Sequence, residues 1–212
     1  MTATEIDPAS AVAVMVLGAG RSERFKGGDK LEQILMGKPV AHHVLSVLAG
    51  FNWSRKVVVC RAQPGWTQAY VDAGFIRAEI ATPDTDNVKI DEADRGMAAS
   101  IHRGLLEMTT QQWVMICLAD MPLITRCHIG ELLAAFEQNR TVAVATRAAS
   151  GFGPPAIFPK ALLDGLPETG DQGARSLLGD AHGPVAVDWM VRDIDTIADL
   201  QAVAHHLRLA RR

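Results

Sequence analysis

The 212-residue chain reads as an α/β protein, a three-layer α/β/α sandwich built on a mostly parallel sheet. Three observations predict this. Short apolar runs alternate with segments of helical periodicity, the pattern of strands buried on both faces and joined by crossover helices. The first run, Ala11 to Leu17, breaks directly into Gly18-Ala19-Gly20 and a basic flank of Arg21, Arg24, Lys26 and Lys30. A later run, Trp113 to Leu118, ends in Ala119-Asp120-Met121-Pro122. Both deliver polar chemistry to a strand's carboxyl end, where open α/β sheets place their ligands.

Composition narrows the function classes. The length suits one domain, expected over residues 11–212 after a flexible N-terminal tail at 1–10. Hydrophobic content of 48% and charged content of 21% are ordinary for a soluble globular protein. A net charge of −3 argues against general nucleic-acid binding, although clustered cations can still form a local anion site. The first ten residues are polar and acidic, unlike a signal peptide, and no apolar run approaches the ~20 residues of a membrane span. A cytoplasmic protein with no membrane partner is expected. Cys60, Cys117 and Cys127 form no C-x-x-C pair and read as reduced structural thiols.

In chain order, the strand Ala11–Leu17 leads into a glycine-rich turn whose amides and cations suit a polyphosphate. It is not a P-loop, because Leu31 follows Lys30 where a hydroxyl is needed. Nor is it the dinucleotide fingerprint, whose third glycine would fall on Glu23. An ordinary tight turn with a solvated basic flank is the plain alternative. A helix is predicted from near Pro39, with Val40, Val44, Val47 and Leu48 at helical spacing. Lys56–Cys60 reads as a strand, Pro64–Ala73 as a helix and Phe75–Ala81 as a third strand. The acidic stretch Thr82–Arg95 reads as a surface loop or substrate rim. Gly96 opens a helix running to about Met108.

Strand Trp113–Leu118 precedes Asp120, whose carboxylate suits a hard divalent cation or, alternatively, caps the helix that follows. That helix, Arg126–Asn139, carries the stripe Ile129, Leu132, Leu133 and Phe136. Val142–Thr146 and Val185–Met190 read as further strands. Between them, Asp171 is placed to cap a short helix, and Arg175 offers a forked donor to an anionic group. A terminal helix is predicted with Ile197, Leu200, Val203 and Leu207 on its apolar face, capped by Thr196 or Asp195.

The segment LGAGRSERFKGGDKL resembles the L-x-[AG]-G-x-[SG]-x-R-[FM]-G…K-L signature of nucleotidyltransferases with a Rossmann-like fold. More narrowly it resembles the MobA-like NTP transferases, in the branch of the molybdenum cofactor cytidylyltransferases. The resemblance extends over nearly the whole chain. It implies nucleotide contacts from Leu17, Gly18, Ala19, Gly20, Arg21 and Lys30, and from Gly96 and Ser100 in the G-M-x-x-S segment. It makes Asp120, in L-A-D-M-P, a magnesium ligand and matches Asp195 to a second one. The G-D-x-G-A-R segment points Asp171, Gln172 and Arg175 at the acceptor. Catalytic roles fall to Arg21, Lys30 and Asp120.

The implied reaction moves CMP from CTP onto the phosphate of a molybdopterin-type acceptor, with Mg2+ as cofactor and transient contact with a molybdoenzyme. A guanylyltransferase, a sugar-phosphate nucleotidyltransferase and a non-catalytic nucleotide binder remain as alternatives. Two departures stand out. Pro154 occupies the place of the histidine in the usual G-H-P-[VLA]-[LI]-F, and the terminal D-I-D-T-I-A-D-L lacks the proline of D-x-D-T-P-x-D-L.

Overall fold

In the computed structural model the described residues are 7–20, 22, 24–80, 96–167 and 173–210. The acidic stretch 82–95, together with Arg21, Asp171 and Gln172, lies outside them. The central strand is β1 (Val12–Leu17), every residue of which is buried. It pairs in parallel with β4 (Arg55–Arg61) on one side and with β6 (Trp113–Leu118) on the other. Beyond β4 lies β5 (Ile76–Ile80), also parallel. Beyond β6 come β8 (Gly151–Pro159) and β7 (Val144–Ala148), each antiparallel to its neighbour. The order is therefore β5-β4-β1-β6-β8-β7, a mostly parallel sheet with one reversed strand inside it. A small hairpin of β2 (Ile34–Leu35) and β3 (Lys38–Pro39) follows the glycine-rich loop.

Alternation along β1 explains the layers. Val12, Val14 and Val16 face a cluster that includes Val44 of α1 (Ala41–Leu48), Tyr70 of α2 (Gln68–Asp72) and Ile129, Leu132 and Phe136 of α4 (Arg126–Gln138). Ala13, Met15 and Leu17 face Ile101 of α3 (Gly96–Leu105) and Leu163 of α5 (Lys160–Asp164). The terminal helix, α6 (Ile197–Leu209), packs on the first face through Val203, with Leu200 and Leu207 beside it. Ile197 was expected on that apolar face, but it is exposed.

Three further expectations are corrected. Pro8–Ser10, expected in the N-terminal tail, and Ala11, expected in the first strand, form a 3-10 turn capped by Asp7 with Ala9 fully buried. Val185–Met190 make no strand. Pro184 has no amide to donate, and the segment meets β7 only through single bridges such as Arg147 with Val185 before turning away. Conversely β8 was not anticipated, because Gly151, Gly153, Pro154 and Pro155 read as breakers. They are tolerated because the register slips between Ala145 and Thr146, and the Thr146 hydroxyl donates to the Pro155 carbonyl at 2.9 Å.

Burial pushes the Cys60 thiol up to about 11 and Cys117 up to about 12, so both are unreactive, whereas Cys127 is exposed. No helix among the described residues is long and apolar enough to cross a membrane.

Candidate active site

The strand order reverses between β1 and β6, and the candidate site sits outside the carboxyl ends of those two strands. Leu17 closes β1 and accepts a bond from the Ala119 amide at 3.0 Å, which locks the two strand ends together. Gly18 differs from the expectation that its amide cradles phosphate. That amide donates to the Val59 carbonyl at 2.8 Å, continuing the sheet. What requires glycine there is packing, since a Cβ would lie 2.5 Å from the Trp66 ring. Ala19 is buried and Gly20 is exposed with open space around it, so the loop nears the cavity from Ala19 onward.

The loop returns to the sheet at Lys30, whose ammonium bridges two carboxylates. Its Nζ lies 2.7 Å from Asp120 Oδ2 and 2.8 Å from Asp195 Oδ1. Asp120 follows β6 directly. Asp195 was expected to follow a strand of the same sheet and does not. It reaches the site because the Ile194 amide donates to the Asp120 carbonyl at 3.0 Å while the Ile194 side chain is buried in the core.

Neither aspartate is a helix cap. Thr125 caps α4 by accepting from the His128 amide, and Thr196 caps α6 in a reciprocal box with Asp199.

Electrostatics couple the three groups. Burial works to lower the Lys30 pKa, but Asp120 and Asp195 together hold it above the ordinary lysine value, so the group stays charged. Burial is the largest influence on Asp120 and pushes its carboxyl up. Lys30 opposes this, and the nearby Asp193 and Asp195 add to it. Asp120 Oδ1 is buried with no hydrogen-bond partner. A pair of carboxylates with one buried oxygen unclaimed fits magnesium, which takes one or two protein carboxylates and completes its shell with phosphate oxygens and water. The described residues contain no cluster of three or more acidic, His or Cys ligands that would make a protein-only cage.

Two cavities meet at this point. The smaller, about 400 Å³, is walled by Gly20, Arg24, Lys30, Arg61, Asp120 and Asp195, with Gly96 and Ser100 of α3 facing them. The larger, about 830 Å³, is mostly apolar, with Ile116, Met121, Phe152, Phe158 and Leu178 in its wall and Thr146, Arg175 and Asp193 among its polar groups. Met97 and Leu118 belong to both. Gly173 packs against the divider: a Cβ there would lie 2.7 Å from Met97 Sδ. Arg175 lines the larger cavity, where its guanidinium donates to the Ser150 carbonyl at 2.9 Å.

Two participants escaped sequence reasoning, and a third was foreseen without its partner. Arg61, at the end of β4, faces the smaller cavity, and only its position as a cation closing an apolar strand could have flagged it. Arg24, read as basic flank, pairs with Asp195 Oδ2 at 3.0 Å. Asp193 lines the larger cavity because Ile194 turns inward between it and Asp195.

Residues 14–185 match the family model described as the MobA-like NTP transferase domain. A molybdenum cofactor guanylyltransferase of Pseudomonas entomophila is 26% identical over 177 residues, covering 82% of this chain and 84% of that protein. One from Pseudomonas putida F1 is 27% identical over 167 residues, covering 78% and 79%. Among solved structures, a nucleotidyl transferase from Methanothermobacter is 20% identical with a TM-score of 0.66, over 94% of this chain and 99% of that one. A Mycobacterium tuberculosis protein in complex with manganese is 18% identical with a TM-score of 0.64, over 92% and 98%. These structural likenesses concern the fold.

Proposed function

The chain belongs to the MobA-like NTP transferase family, and on that premise we propose that it transfers a nucleoside monophosphate from an NTP to the phosphate of a molybdopterin-type acceptor. The observation that carries this reading is the position of the Lys30–Asp120–Asp195 cluster. It stands in the cation-rich smaller cavity, against the residues shared with the apolar larger one. The smaller cavity suits a triphosphate, with Arg24, Lys30 and Arg61 as counter-charges. The larger offers apolar faces against which a ring system can pack and a few polar groups, Thr146, Arg175 and Asp193, for its edge, which favours a pterin over a polyhydroxylated sugar phosphate.

In the reaction, an acceptor phosphate oxygen attacks the α-phosphorus, and the bond from that phosphorus to the bridging oxygen breaks. Pyrophosphate leaves with the bonding electrons. The protein contributes position and charge rather than covalent chemistry. Arg24, Lys30 and Arg61 neutralise the charge that accumulates on the phosphates, and the loop beyond Ala19 brings main-chain amides to them. Asp120, through its unclaimed Oδ1, and Asp195 would hold magnesium, which supplies polarisation of the α-phosphate. The apolar wall of Ile116, Met121, Phe152, Phe158 and Leu178 offers few polar groups to hold a water that would compete with the acceptor.

The Gly96-Met97-Ala98-Ala99-Ser100 and Gly170–Arg175 segments, which resemble the cytidylyltransferase branch, favour cytosine as the base. A guanine reading is favoured by the Pseudomonas relatives, which are named as guanylyltransferases. A melting-temperature screen of the four NTPs with magnesium separates them, since a ligand that binds the native state raises stability by mass action. The largest shift is expected with CTP, and a larger one with GTP makes the protein a guanylyltransferase. Pyrophosphate release on adding molybdopterin to the stabilising NTP is expected of an enzyme. Binding without release identifies a nucleotide carrier instead.

A further inference from the structure

The Lys30 ammonium stands where a cation held by Asp120 and Asp195 would stand. It occupies one oxygen of each carboxylate, at 2.7 and 2.8 Å, and its side chain is only 11% exposed. A divalent ion bridging the same pair would lie against the ammonium even if it took the free Oδ1 of Asp120, and two cations in contact repel strongly where water is scarce. Of the remaining oxygens, Asp195 Oδ2 is paired with Arg24, and Asp120 Oδ1 is buried and unclaimed.

We propose that Lys30 is an internal counter-cation that fills the divalent-metal position until a nucleotide arrives, so that metal and nucleotide bind as a coupled pair. This rests on the nucleotide and metal reading above. The exchange needs no main-chain movement. Lys30 already lines the cavity assigned to the triphosphate, next to Gly20, Ser22 and Arg61. Its own amide is anchored to the Ser22 hydroxyl, at 3.4 Å, so the side chain can swing about a fixed point. Phosphate oxygens offer the ammonium a replacement for both carboxylates, and the freed carboxylates then take the metal. Each ligand thereby strengthens the other by the same factor, as linkage requires.

The arrangement also gives the paired carboxylates a resident partner in the nucleotide-free state. Two adjacent, partly buried carboxylates with neither lysine nor metal between them would repel each other.

The test uses the whole chain with Mn2+ as the probe, free and bound ion being distinguished by electron paramagnetic resonance and water-proton relaxation. Without nucleotide, Lys30→Met and Lys30→Gln are expected to bind Mn2+ at least ~10-fold more tightly than wild type, within the ~5–150-fold span of ordinary site coupling. Adding Asp195→Asn to Lys30→Met is expected to abolish the gain. In wild type, CTP or GTP is expected to bring Mn2+ onto the protein. Equal Mn2+ affinity of wild type and the Lys30 variants without nucleotide overturns the proposal and leaves the proposed function standing. Absence of Mn2+ binding in every arm overturns the metal reading, and this proposal with it.

A measurement on wild type alone covers the case of misfolded variants. The 15N resonance of the Lys30 ammonium is expected to ignore Mg2+ alone and to move when CTP and Mg2+ are added together. Movement with Mg2+ alone contradicts the proposal.

Discussion

The smaller cavity is walled by charge, with Arg24, Lys30, Arg61, Asp120 and Asp195 around about 400 Å³. The larger, about 830 Å³, is walled by Ile116, Met121, Phe152, Phe158 and Leu178, with few polar groups. They share Met97 and Leu118, so the difference is not one of location. A charged wall holds its ligand by a few strong, directional contacts, and losing one should damage the chemical step. An apolar wall holds its ligand by shape and desolvation, and changing one residue should alter binding with little effect on turnover.

The strongest way to break this comparison is at Lys30. Lys30→Ala is expected to lower turnover by roughly 10²-fold or more, the usual loss for a charge that acts in the transition state. Steady-state kinetics showing normal turnover in a folded variant would reduce Lys30 to a structural partner of the two carboxylates. The counterpart in the larger cavity is Gly153→Val. Open space surrounds the Cβ position of Gly153, which lines that cavity. The added methyls should raise the acceptor KM by ~10-fold, the usual scale for a small steric change in an apolar pocket. The NTP-induced melting shift should be unchanged. If that shift falls instead, the two cavities do not divide the substrates as described.

The two regions also differ in how much of them the sequence shows. Lys30 and Asp120 sit inside contiguous motifs, where glycines, cations and an acid after a strand announce charge chemistry. The larger cavity is assembled from Ile116, Phe152, Phe158 and Leu178, residue types that read as core, and no periodicity tells a cavity wall from packed interior. Asp195 was matched by resemblance, but the reason it arrives was misread. One main-chain bond from Ile194 to Asp120 brings it in, and no strand does. The parallel strands were legible because β1 and β6 are near-continuous apolar runs and β4 has an apolar centre, as strands buried on both faces require. The sheet became illegible at β8, where glycines and prolines are accommodated by a register slip.

Acidity sharpens the comparison further, since the charged cavity alone should respond to it. The Asp120 carboxyl is held above the ordinary aspartate range, chiefly by burial. The acid limb of kcat/KM, which reports the free enzyme, should therefore lie above the ordinary aspartate value, with the Gly153→Val profile unmoved from wild type. The sign for stability follows from the same shift. A raised folded pKa contributes stability that is fully present below the unfolded value and is lost as pH rises through the folded one. The melting temperature of Asp120→Asn relative to wild type should accordingly climb from acid to neutral pH.

The smallest effect is expected from Thr196→Ala, which removes the α6 cap beside Asp195 without touching either cavity. A loss of ~1 kcal/mol is typical of such a cap, seen as a modest drop in melting temperature. Turnover per folded molecule should be preserved.

The account depends most on Asp120 and Asp195 forming one site despite their separation in sequence. The direct measurement is the double-mutant comparison of turnover for Asp120→Asn, Asp195→Asn and the two combined. Groups that act as a unit give non-additive losses. The double variant is therefore expected to be scarcely worse than the poorer single one, with magnesium dependence weakened in both singles. Losses that multiply, or an Asp195→Asn variant with normal turnover and normal magnesium response, would contradict a shared site and leave Asp120 to act without its partner.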